Sequence, residues 1–126
     1  MMGATSGLEK SAKCTAAVAA FTLAKFGADD DTLSAGAAAT DNVIGVFQHP
    51  TTVAGEEVRV MLSGISRVKL GGTVTRGDLI GSDASGQGVS LAPAAGTNNR
   101  AVGIALASGV SGDIIPVLIA PSRPQG

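Results

Sequence analysis

The sequence has no tryptophan, no tyrosine, and only three phenylalanines, Phe21, Phe26 and Phe47. Proteins that bind nucleic acid need a basic patch, usually with aromatic rings on which bases stack. Here nine scattered Lys and Arg face ten Asp and Glu, for a net charge of −1, so that class is excluded. Cys14 is the only cysteine, which excludes an intramolecular disulfide framework and a zinc cluster. His49 is the only histidine, so a metal site has no second imidazole to draw on. No stretch approaches the roughly 20 apolar residues of a membrane helix. The apolar run at 16–20 is far too short for one, and Lys10 and Lys13 precede too weak a segment for a signal peptide. Neither a nucleic-acid nor a membrane partner is expected, and no cofactor.

What the chain does have is small apolar residues and glycine. Apolar residues make up 44% of 126 positions, which decides for one folded domain over a disordered chain. Alanine and valine dominate. Each buried alanine removes little area from water, so the core is expected to be thin and assembly with partners to add buried surface.

Taken in order, residues 1–17 read as an arm without a core of its own, small and polar with no apolar period. Residues 18–25 favour a strand through Val18, Phe21 and Thr22, and residues 32–34 a short return strand after the turn Asp29-Asp30-Asp31. The run VIGVF at 43–47 is continuously apolar and predicts a buried strand, with Gly45 marking a bulge or a close backbone approach. Residues 57–62 alternate, with Val58, Val60 and Leu62 on one face and Glu57, Arg59 and Met61 on the other. Residues 65–70 follow suit. Residues 78–82 and 88–92 form a hairpin about a turn at 83–86, where Asp and Gly stand at the positions such a turn requires. Residues 93–99 read as a mobile loop. Residues 101–106 are apolar on both faces and hence central. In 113–119, Pro116 cannot donate to a ladder, so this strand is expected at an edge or with that amide outward. Residues 121–126 are a polar tail after a β-domain at 18–120.

About eight short strands spaced near ten residues, without a long helix, predict an all-β, single-domain β-sandwich or barrel with an extended N-terminal arm. The chain also echoes itself. Val43-Ile44-Gly45-Val46 leads on to Gly55-Glu56-Glu57-Val58, and Ala101-Val102-Gly103-Ile104 to Gly112-Asp113-Ile114-Ile115. Gly77-Asp78-Leu79-Ile80 ends the same way as the second unit. Both halves are expected to supply equivalent hairpins to one core.

The segments FTLAKFGADDDTL, TDNVIGVF, GEEVRVMLSGISRVKLGGTVTRGDLIGSDASGQGV and NRAVGIALASGVSGDIIPVLI, in that order and spacing, resemble the capsid decoration, or cement, proteins of tailed bacteriophages. The resemblance runs from about Ala19 to Ala120. It implies a β-rich, non-enzymatic structural protein of the virion. Such a protein binds the outside of the major capsid shell, commonly as trimers or dimers, and stabilises the head against the pressure of packaged DNA. Its partners would be the major capsid protein and itself, with a homotrimer favoured and a homodimer possible. The family carries no catalytic residues to transfer.

Other functions have their own candidate residues. Arg76-Gly77-Asp78 is an integrin-type tripeptide, the basis for an alternative host- or glycan-binding module, but a structural turn is the simpler reading. His49 could serve as the base of a hydrolase, yet a lone histidine among abundant serines and aspartates is uninformative. Asp29-Asp30-Asp31 lacks the spaced ligands of a calcium loop, and no Gly-Lys-Ser/Thr follows the glycines that would make a phosphate loop. The expected capsid or subunit contacts are Leu8, Lys10, Lys13 and Cys14 of the arm, with Phe47, His49, Pro50 and Arg100. They accompany outward loops at 48–55 and 93–99.

Overall fold

Two five-stranded β-structures share the chain between them. The computed structural model describes residues 7–93 and 95–125. In it the first half closes into a barrel and the second forms an open sheet. The barrel strands are β1 (Glu9–Cys14), β2 (Leu23–Phe26), β3 (Thr32–Ala35), β4 (Val43–Phe47) and β5 (Glu57–Met61), in the order β1-β3-β2-β4-β5. Antiparallel pairing of β1 with β5 closes it, and β1 lies parallel to β3. The open sheet holds β6 (Gly64–Lys69), β7 (Leu79–Ser82), β8 (Gly88–Ser90), β9 (Ala101–Ala105) and β10 (Ile114–Ser122), in the order β6-β10-β9-β7-β8. The all-β, single-domain architecture is the one expected.

The apolar run of β4 has a direct cause. Phe47 points into the barrel with Ala12, Cys14, Ala24, Leu33, Val58 and Val60. Val43 and Val46 point the other way, onto the sheet residues Val68, Leu70, Ile80, Val102, Val117 and Ile119. β4 is therefore buried on both faces, which a run without polar alternation permits. The alanines find their place here as well. The interior of a five-stranded barrel is narrow, and Ala12, Ala24 and Cys14 leave room for one large ring, Phe47. There are thus two apolar clusters, one inside the barrel and one between barrel and sheet, where one core was expected.

Gly45 does both things anticipated of it. The β2–β4 register steps from Ala24–Gly45 to Lys25–Val43, leaving Ile44 bulged. A Cβ on Gly45 would also run into the carbonyl oxygen of Met61. Gly103 repeats the close approach, against the carbonyl oxygen of Leu118.

Several expectations are corrected. Residues 9–14 are not an arm but a stave of the barrel, with Lys10 opposite Val60 and Ala12 opposite Val58. The weak apolar pattern of EKSAKC reflects a strand that turns only Ala12 and Cys14 inward. Residues 1–6 lie outside the described residues. Strand β2 begins at Leu23 rather than residue 18, because Phe21 takes a positive φ of 62° and breaks the extended backbone. The segment 93–99 is tied down at its end: Asn98 bridges to Gln125, and Asn99 N–H donates to the Pro124 carbonyl at 3.0 Å. The same contacts fasten the supposed tail, and β10 itself runs on to Ser122.

Pro116 lies in a central strand, since β10 has β6 on one side and β9 on the other. The sheet tolerates it through position. Leu106 N–H donates to the Pro116 carbonyl at 3.0 Å, so the proline nitrogen faces the same way, just beyond the last residue of β9. No ladder hydrogen bond of β9 is lost there.

Candidate functional site

The residues expected to make contacts are sorted by the barrel wall. Cys14 and Phe47 are interior, 1% and 0% exposed, and offer a partner nothing to touch. The Cys14 Sγ sits 3.2 Å from Thr51 Oγ1, and Thr51 Oγ1 accepts from Val18 N–H at 3.0 Å. Cys14 thus anchors the 48–56 loop from inside. Leu8, Lys10, Lys13 and Pro50 are exposed, and His49 and Arg100 half-buried.

Two of these, Lys13 and His49, share one flank. Lys13 is the register partner of Glu57, and Ser11 that of Arg59. A hollow of about 300 Å³ opens there, lined by Ser11, His49, Glu57, Val58 and Arg59. The alternation of EVRVM already turns Glu57 and Arg59 outward; that β1 lies beside them depends on barrel closure and has no local signal. Leu8 is at the other end of β1, its N–H donating to Ser63 Oγ at 3.1 Å. Arg100 is elsewhere again, with Nη1 donating to Asn42 Oδ1 at 3.0 Å.

The loop carrying His49 and Pro50 is internally satisfied. Glu56 Oε1 accepts from Thr52 Oγ1 at 2.7 Å, Thr52 N–H at 3.0 Å and Val53 N–H at 2.9 Å. These bonds, the Thr52 hydroxyl first, hold the Glu56 carboxyl below its ordinary range. His49 Nε2 accepts from Arg59 N–H at 3.2 Å, so Nδ1 carries the proton and donates to the Pro50 carbonyl at 3.2 Å. Both ring nitrogens are engaged by backbone, which leaves no base positioned for a serine. Among the described residues no group of three or more His, Cys, Asp and Glu is placed to hold a metal ion.

Arg76-Gly77-Asp78 is a turn. Gly77 has φ 96°, Thr75 N–H donates to Asp78 Oδ2 at 2.9 Å, and Arg76 N–H donates to Ser108 Oγ at 2.9 Å. Asp29 likewise serves its own hairpin, accepting from Asp31 N–H at 3.0 Å.

A family model described as phage cement protein matches residues 5–119. The chain belongs to the phage cement protein family. Membership gives it a structural role in the phage head and an association with the capsid. Among solved structures, the head fiber gp8.5 N base in bacteriophage phi29 has the same fold, with a TM-score of 0.67. The match covers 94% of this chain and 98% of that one at 18% identity. Among curated proteins none matches. The cement family was legible in the order of the short segments, although no one segment carries a chemical signature.

Proposed function

We propose that this cement protein binds the outer surface of the major capsid shell and stabilises the head against the internal pressure of packaged DNA. A homotrimer is the favoured unit and a homodimer the other. The observation that carries the reading is the family match over 5–119, across both the barrel and the sheet. The frame supports it. A barrel closed on itself, with a sheet packed on it through Val43, Val46 and Met61, suits a part that bears load on the shell. Many copies on one shell act multivalently, so each needs only modest affinity. On this reading Leu8, Lys10, Lys13, His49, Pro50 and Arg100 are contact candidates; Cys14 and Phe47 act by holding the barrel. The test is to add purified protein to expanded heads that lack it. Binding should saturate at symmetry-related positions and raise the temperature at which heads release DNA. Heads that neither bind the protein nor gain stability from it would refute the proposal.

A further inference from the structure

The outward face of the open sheet carries an apolar stripe that stays partly exposed, with the Leu91 side chain lying over Gly81 at its β7 end. Ile65, Leu118, Ile104 and Leu79 are successive register partners across β6, β10, β9 and β7, forming one stripe. Leu118 and Ile104 are 38% and 36% exposed, and Ile114, on the same side of β10 as Leu118, is 44% exposed. The residues between them, Ile115, Val117 and Ile119, face the core. Five aliphatic side chains on one sheet face are a contiguous patch of the kind that marks a protein contact.

Charge on this face has one sign. The five strands of the open sheet contain no Asp or Glu, while Arg67 and Lys69 project beside the stripe, as register partners of Pro116 and Ile114. The acids that flank these strands turn their carboxylates back onto backbone: Asp78 accepts from Thr75 N–H and Asp113 from Val110 N–H, each at 2.9 Å, and Asp83 from Ser85 and Gln87 N–H at 2.8 and 2.9 Å. Two copies laid face to face would therefore bring no counter-charge to Arg67 and Lys69. Size points the same way. Five strands about 4.8 Å apart, roughly six residues long, give a face of about 400–500 Å². A stable dimer buries about 800 Å² per partner. The face is small for a self-sufficient dimer and adequate for a site repeated many times over a shell.

We infer that the Ile65–Leu118–Ile104–Leu79 face is the docking surface for the capsid shell protein. Its occupant is an apolar protein patch bordered by carboxylates that meet Arg67 and Lys69. The inference rests on the capsid reading above and assigns that contact to the sheet, not to the barrel flank around His49.

The test compares wild type, the double variant Ile104→Thr with Leu118→Ser, Arg67→Glu, and the control Val110→Ser, at an exposed apolar residue outside the stripe. Each is measured for urea midpoint, sedimentation and binding to heads that lack the protein. The double variant should fold, sediment as wild type does and bind heads at least tenfold more weakly. Arg67→Glu should weaken binding at least fivefold at low salt, less at high salt, and the control should bind normally. Should the double variant fail to fold, Arg67→Glu decides alone. Unchanged binding by the face variants overturns the inference while wild-type binding preserves the capsid reading. A wild-type oligomer that the double variant reduces to monomer also overturns it, because a second copy then covers the face. If wild type itself fails to bind, the capsid reading fails and the inference with it.

Discussion

Val74 and Gly109 exchange both of their backbone hydrogen bonds, at 2.9 and 3.0 Å, and the chain on either side of this pair is related by an approximate two-fold. Leu70, four residues before Val74, donates to the Asp113 carbonyl and accepts from Gly112 N–H. Ala105, four before Gly109, donates to the Asp78 carbonyl and accepts from Gly77 N–H. The two Gly-Asp pairs are thus the same turn twice, each leading into a strand of the open sheet.

Equivalent turns should respond alike. Asp78→Ala and Asp113→Ala each remove one side-chain acceptor from a backbone N–H, and each should lower stability by about 1 kcal/mol. Urea denaturation of the two variants measures this. A cost at Asp113 with none at Asp78 would mean that the Arg-Gly-Asp carboxylate is free for another purpose.

Glycines here serve two different ends, which alanine separates. Gly112, at φ 90°, has nothing within 4 Å of the point where a methyl would stand, so Gly112→Ala should cost only the left-handed strain, about 1–2 kcal/mol. Gly103→Ala drives a methyl into the Leu118 carbonyl and should cost about 3 kcal/mol or more, since backbone must move. Thermal and urea unfolding should rank the two in that order.

The barrel interior should be intolerant and chemically silent. Phe47→Ala removes its one large ring and should cost about 3–5 kcal/mol. Cys14, at 1% exposure, should react with a thiol reagent only on unfolding, so its modification rate should follow the global unfolding equilibrium. Rapid labelling of the native protein would show that the barrel opens locally.

Acid should weaken the 37–41 turn. Burial acts upward on the Asp41 carboxyl, but hydrogen bonds from Ala37 and Ala38 N–H and from Lys25 Nζ outweigh it and hold the group below its ordinary value of 3.8. A depressed folded value contributes stability in full above the unfolded value. It is lost as pH falls through the lower folded one. Asp41→Asn should therefore cost about 1–2 kcal/mol at pH 7 and progressively less below about pH 4. Urea midpoints across that range check the convergence.

Local chemistry decided much of this protein from the sequence alone. Alternation placed β5 and β6, continuous apolar character placed β4 and β9, and Asp83 with Gly86 placed the β7–β8 turn. Each of these signals lies within a few residues, where backbone sterics and side-chain period act directly. Tertiary structure decided what depends on distant neighbours. EKSAKC is a strand only because β5 and β3 offer it free edges. Pro116 sits centrally only because β9 stops opposite it. Cys14 and Phe47 read as contacts until barrel closure turned them inward. Lys13, Glu57 and His49 became neighbours, and four aliphatic residues became one face, through register between strands far apart in sequence. Pairing of that kind is set by the closure of whole sheets, and no short stretch of chain encodes it.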